Sequence, residues 1–234
     1  MPIPVNPNPC SRSEPAMAQG APLPAFLTRC NRRATRGHLP SEKHRGAVSF
    51  TTLAQCAVMQ LLELSYPVES YAAWPAELTV RLRSHEEVTY WPAVGSLTAN
   101  GLHILVDVIQ QQDRIDRAKL DFDALLQQAA QDRGYKIILL DEADVQCDPR
   151  LPIARKILGY GGSSINDEQI FEVREVLARV GGALSLGDMH RRQGGCMKLV
   201  AAGCILAMRR RLVLTLDPHS EDACVLSTVG GARR

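Results

Sequence analysis

The chain has 234 residues, a formal net charge of +2 and 45% hydrophobic residues. That length and apolar content suit one large or two small folded domains, exclude a collagen-like or wholly disordered chain, and leave net charge unable to name a partner. Charge is uneven along the chain: residues 1–46 carry seven Lys or Arg against two Asp or Glu. The same segment holds eight of the fourteen prolines and shows no apolar periodicity. It reads as a disordered basic, Pro-rich arm over 1–46, either simply solvated or able to find phosphate through counterion release.

Folding is expected to begin near Ala47. Residues 51–64 read as a helix, with Leu53, Cys56, Ala57, Leu61 and Leu64 at helical spacing, Thr51 or Thr52 as its cap and Pro67 beyond its end. Val68 to Trp74 is extended. Residues 77–83 alternate strictly and pair in expectation with 87–91 as a hairpin. Leu102 to Ile109 is a buried strand, apolar on both faces. Residues 113–133 are an amphipathic helix ended by Gly134, and Tyr135 to Leu140 is a second buried strand. The order implies an α/β domain over 47–160, a mixed sheet flanked by helices.

Gly159-Tyr160-Gly161-Gly162 reads as an interdomain linker, since it lacks the Gly-Lys-Ser/Thr ending of a phosphate loop. Residues 161–234 form the second domain. Asn166 caps a helix to Val180, Gly181-Gly182 breaks it, and short helices over 184–192 and 196–210 follow. Strands at 212–216 and 224–229 close it. Three helices and a β-hairpin make the plan of a winged-helix α+β domain, or of a generic α+β cap that serves assembly.

The seven cysteines are odd in number and none has Cys-x-x-Cys spacing, which speaks against a disulfide framework or a zinc knuckle. Cys56, Cys196 and Cys204 sit in apolar stretches and read as small buried hydrophobes. No secretory leader is visible. The longest apolar run, Leu199 to Met208, is about half the ~20 residues a bilayer requires. A soluble protein in a reducing compartment, with no membrane partner, is the expectation.

Residues 50–140 carry a family layout: Leu53-Ala54-Gln55 on the first helix, then Pro67-Val68 and Trp74-Pro75, a hairpin ending Tyr90-Trp91-Pro92-Ala93, the strand Val106-Asp107-Val108-Ile109, and Gly134-Tyr135 after the next helix. This resembles TnsA-type transposase endonuclease subunits, whose first domain is restriction-endonuclease-like and whose second is a winged helix. The resemblance implies transposon-end DNA and an integrase-type transposase as partners, in the bacterial cytoplasm. It also implies a Mg²⁺-dependent nuclease site, because Mg²⁺ activates the attacking water, neutralises the phosphate and is held by carboxylates.

On the matching positions that site is degenerate. The first-helix carboxylate falls on Gln55, the hairpin aspartate on Ala93, the strand carboxylate on Asp107, and the lysine on Ile109. Only Asp107 could ligate as an anion, and one carboxylate does not hold Mg²⁺ against its hydration shell. The expectation is an accessory subunit with no intact catalytic residue and no cofactor, Mg²⁺ entering only if a migrated site around Asp107 still cuts DNA. A His103–Asp107 pair is readable as a metal pair or as a hydrogen-bonded structural pair. Glu63, two turns past Gln55, reads as surface.

Arg191, Arg192, Lys198, Arg209, Arg210 and Arg211 are the expected DNA contacts. The arginines at 209–211 are equally readable as partners of a helix C-terminus and of solvent. A winged-helix DNA-binding regulator is the second reading of the whole chain, and an active endonuclease with a migrated site the third.

Overall fold

The structure is a computed structural model, and it describes residues 35–110, 113, 116–117, 121–192 and 197–229. Strands β1 (Gly37–Ser41) and β2 (Gly46–Phe50) form an antiparallel hairpin. Helix α1 (Leu53–Leu64) follows, with the Thr52 side chain accepting from Gln55 N as its N-cap. Next come β3 (Val68–Ala73), the hairpin β4 (Leu78–Arg81) and β5 (Glu87–Tyr90), then β6 (Val94–Thr98) and β7 (His103–Ile109). Helix α2 (Phe122–Asp132) leads to β8 (Lys136–Asp141), and short helices α3 (Glu142–Gln146) and α4 (Leu151–Leu158) follow.

The central sheet is mixed, in the order β3-β6-β7-β8. The first two pairings are antiparallel and β7–β8 is parallel. Side chains alternate across a strand, so β7 feeds two cores. Val106 joins Val58, Tyr71 and Val94 beneath α1. Leu105 joins Leu78, Val80 and Leu126 beneath α2. The fold is thus α/β, a mixed sheet flanked by helices, as the sequence implies.

After a 3₁₀ turn (Gly159–Gly162) the chain makes α5 (Asp167–Arg179), β9 (Ala183–Ser185), α6 (Leu186–Arg192), α7 (Met197–Met208), β10 (Leu212–Thr215) and β11 (Val225–Thr228). The three strands form an antiparallel sheet in the order β10-β11-β9. Asn166 and Gln169 make a reciprocal capping box on α5. Every residue of α7 from Leu199 to Met208 is buried. A helix apolar on all sides belongs inside a core, and α7 is the centre of this one. Gly203 lets β11 lie close, because a Cβ there would meet Leu226 Cδ1 at 2.5 Å. Leu64 of α1 and Ala154 and Ile157 of α4 join the same core. No helix among the described residues is long and apolar enough to cross a membrane.

Several expectations are corrected. The arm expected to be disordered over 1–46 is already in a strand at Gly37, while residues 1–34 lie outside the described residues. The physical reason is Glu63, which is not a surface group but 1% exposed. Its carboxylate accepts from Ser41 Oγ at 2.7 Å, Glu42 N at 3.0 Å and Lys43 N at 3.4 Å, closing the β1–β2 turn onto α1. Lys43 Nζ in turn donates to Leu62 O at 2.7 Å and Ser65 O at 2.5 Å, satisfying carbonyls at the end of α1.

Within the span expected as one helix over 113–133, Asp116 and Arg117 are helical and a second helix runs from Phe122, with Asp121 before it in the left-handed region at φ 48. Its far end is as expected: Gly134 has φ 78, and Tyr135 N donates to Ala130 O at 3.0 Å. Strand β6, at Val94–Thr98, was not expected. Its Gly95-Ser96 centre has little β-propensity, and tertiary pairing with β3 and β7 overrides that. The β4–β5 hairpin pairs with itself rather than entering the mixed sheet.

Gly159–Gly162 is a packed turn rather than a linker: Tyr160 lies on the α7 core and its hydroxyl donates to Glu221 Oε1 at 2.7 Å. Cys204 is buried as expected, Cys56 is only half-buried, and Cys196 lies outside the described residues.

Replacing Glu63 with Ala should cost about 2–4 kcal/mol, since it leaves three donors unmatched, two of them in buried residues. Glu63→Gln, which keeps one acceptor oxygen, should cost less. Urea unfolding checks both, and an alanine variant within about 0.5 kcal/mol of wild type contradicts this anchoring.

Candidate functional site

Gln55 stands in the first turn of α1 and is 2% exposed. Its Oε1 accepts from Thr51 N at 2.8 Å, and its Nε2 donates to Ala93 O at 2.7 Å. The amide is oriented by these two partners: the oxygen faces a donor and the nitrogen faces a carbonyl. A carboxylate at position 55 would set an oxygen against the Ala93 carbonyl. Gln55 therefore works as a clasp between α1 and the chain entering β6. The Ala93 side chain packs toward the α1-side core and offers no donor.

Asp107 lies on β7, 3% exposed, with its side chain toward the α2 side of the sheet. Tyr90 Oη donates to Asp107 Oδ2 at 2.8 Å, and Arg117 Nη2 donates to the same oxygen at 3.0 Å. Arg117 also donates from Nη1 to Tyr90 Oη at 2.8 Å and from Nε to Asp123 Oδ1 at 2.7 Å. Its guanidinium carbon lies 5.0 Å from the Phe122 ring centroid and 5.5 Å from that of Tyr90. Those two rings meet edge-on at 5.1 Å.

Burial pushes the Asp107 carboxyl up, while the Tyr90 hydroxyl and the Arg117 cation pull against it. Burial also disfavours the Arg117 charge, yet Tyr90 and Asp107 hold its pKa above the usual value. The Tyr90 hydroxyl is raised by burial and by the neighbouring carboxylate. The result is a mutually satisfied cluster, buried at Asp107 and opening to solvent at Asp123, of the kind that fixes geometry.

The four positions expected to mark a nuclease site do not converge. Gln55 and Ala93 meet on the α1 side, whereas Asp107 faces the α2 side. Ile109, half-buried at the end of β7, has no group that can donate or carry charge. His103 and Asp107 share a face but stand about 13 Å apart along the strand, which corrects the expected pair in either form. The His103 ring instead meets Tyr135 edge-on at 6.1 Å.

These residues do not fit a Mg²⁺ ion. The one carboxylate is tied to a guanidinium, and both ends of the Gln55 amide are engaged in the fold. Among the described residues no group of three His, Cys, Asp or Glu side chains could hold a metal.

No residue pattern singles out Arg117 or Asp123, and Tyr90 figures in the sequence only as part of the hairpin end. The available signal was Tyr90 at the hairpin end, at the level where a strand carboxylate would need a partner.

The six expected DNA contacts fall into two groups at opposite ends of α7, about 17 Å apart at 1.5 Å per residue. Arg191 and Arg192 end α6, and Lys198 begins α7; all three are exposed. Arg191 also meets Asp188 at 2.7 Å. At the other end, Arg209 reaches Glu42 of the β1–β2 turn at 3.3 Å. Arg210 reaches Glu69 of β3 at 3.0 Å and lies over the Tyr66 ring at 5.7 Å. Arg211 is exposed.

No protein-family model matches this chain, and no curated protein matches it. The site is therefore read from its own chemistry: a largely buried ion pair between Asp107 and Arg117, with the guanidinium against the Tyr90 and Phe122 rings.

Arg117→Met should destabilise the protein by about 3–5 kcal/mol, because it strands a buried carboxylate. Adding Asp107→Asn to it should recover part of that loss. Guanidinium unfolding of the single and double variants reads the coupling, and strict additivity contradicts the pairing.

Proposed function

We propose that this chain is a catalytically degenerate, TnsA-like accessory subunit of a bacterial DNA transposition complex, acting in the cytoplasm and contacting DNA and an integrase-type transposase. The observation that carries the non-catalytic reading is the Arg117 guanidinium at 3.0 Å from Asp107. A cation is already paired with the one carboxylate that the resemblance would offer to a metal. The order of elements supports the endonuclease-like part: a helix, then strands, a crossover helix and a parallel strand. Here these are α1, β3, β6, β7, α2 and β8, giving a mixed four-stranded sheet.

The second half supports a winged-helix reading by its order, with helix, strand, two helices and two strands in one antiparallel sheet. Its α7 departs from a base-reading helix, since all but its first two residues are buried. A helix that reads bases lays an exposed face in the major groove. The DNA contact proposed here is therefore to phosphate, through Arg191, Arg192, Lys198 and Arg211, and not to base edges. The same observation favours an assembly subunit over a sequence-specific winged-helix regulator. The migrated-site endonuclease is disfavoured by the ion pair on Asp107.

The test is nicking of supercoiled DNA by the purified protein with Mg²⁺ or Mn²⁺, beside DNA binding across a salt series. The reading expects no metal-dependent nicking. It expects salt-dependent binding that weakens uniformly across sequences when Arg191, Arg192 and Lys198 become Gln, with a shallower salt slope by about 2–3. Nicking that disappears in Asp107→Ala overturns it.

A further inference from the structure

The junction at the C-terminal end of α7 holds a second basic group whose partners are internal carboxylates. We propose that Glu42 and Glu69 occupy Arg209 and Arg210 as internal mimics of phosphate, masking a second phosphate-binding site that opens when a nucleic-acid backbone displaces them. This rests on the DNA-binding reading above and adds the regulation of that surface.

The geometry of the Arg209–Glu42 contact is a fork on a carboxylate. Arg209 Nε donates to Glu42 Oε2 and Nη2 to Oε1, both at 3.3 Å. Two parallel bonds of this kind are the arrangement a guanidinium makes with phosphate as well. Both bonds are long, and the side chains are 43% and 40% exposed. Ion pairs with that exposure are weak and easily exchanged in water.

Arg210 is held more firmly. Its guanidinium lies on the Tyr66 ring and donates from Nη1 to Glu69 Oε1 at 3.0 Å. Its Nε is buried with no hydrogen-bond partner among the described residues. That donor could be satisfied by an acceptor with more oxygens than a carboxylate has only once Glu69 moves and uncovers it. Phosphate is such an acceptor. Glu69 itself is half exposed, so it can turn to solvent while Arg210 stays on Tyr66.

Lys43, in the same turn as Glu42, adds little charge to the junction: burial holds its pKa down to about 7, and its Nζ is engaged with Leu62 O and Ser65 O. Arg45 and Arg211 flank the same junction in sequence. With Glu42 and Glu69 turned away, the local balance becomes cationic. The negative end of the α7 dipole opposes an anion only weakly by comparison. Each phosphate contact also releases a counterion from the DNA, a gain the internal carboxylates do not make.

The test uses the full chain and a short fluorescent duplex of random sequence, read by anisotropy across a salt series. Glu42→Gln with Glu69→Gln removes the mask and keeps side-chain shape. Glu86→Gln with Glu172→Gln makes the same charge change at exposed sites away from the junction. Unmasking should tighten binding roughly three- to tenfold beyond the control pair and steepen the log–log salt slope by about two. Adding Arg209→Gln and Arg210→Gln to the unmasked protein should remove that gain. Equal tightening and equal slopes in the unmasked and control proteins overturn the mask while leaving the phosphate surface around Lys198 intact. Absence of binding in every protein at low salt overturns the mask and the DNA reading together. Thermal unfolding of each variant confirms that the comparison is among folded proteins. Glu42→Gln alone, at the exposed Arg209 pair, gives about half the slope change if the double variant is unstable.

Discussion

A carboxylate taken out of water has to find a cation or enough donors, and in this fold the requirement falls on Asp107 at the middle of the sheet. Arg117 meets it, and the consequences spread outward. The guanidinium fixes Tyr90 at the end of the β4–β5 hairpin and Asp123 in the first turn of α2. Phe122 and Tyr90 close over it. One ion pair thereby ties the central strand, a separate hairpin and the crossover helix into a single face. It also takes away the group that a metal would have used.

Glu63 repeats the logic on the other side of the sheet without a directly bonded cation. It is matched by donors: a hydroxyl and two backbone amides from the β1–β2 turn. That turn then carries Glu42 to Arg209 and places Lys43 at the end of α1. The junction between the mixed sheet and the α7 core is therefore electrostatic on its rim and apolar beneath, where Leu64, Ala154 and Ile157 join the α7 core.

The elements with strong periodicity were legible in the sequence: α1, β7, β8, α5 and the last hairpin follow from apolar spacing, caps and glycines. The Asn166 cap and the helix stop at Gly134 were readable from residue type alone, whereas the reciprocal bond from Gln169 was not read. Strand β6 was not, because a Gly-Ser centre gives no local signal and its pairing is long-range. The β1–β2 hairpin was hidden for the same reason, since its anchor, Glu63, sits some twenty residues away and reads as one more helical surface charge. At the site, the absence of a carboxylate at Gln55 and Ala93 was visible in the residues, but the partners these segments make were not. The Gln55 clasp and the Arg117 ion pair are contacts between distant segments, and a single chain of letters does not specify which arginine turns inward.

The central claim is that a guanidinium, not a metal, neutralises Asp107. Titration of the folded protein with Mn²⁺, followed by electron paramagnetic resonance in the presence and absence of duplex DNA, tests it most directly. The account predicts no stoichiometric Mn²⁺ site and no difference between wild type and Asp107→Asn. A single bound Mn²⁺ that disappears in Asp107→Asn would contradict it, and would make Asp107 a metal ligand.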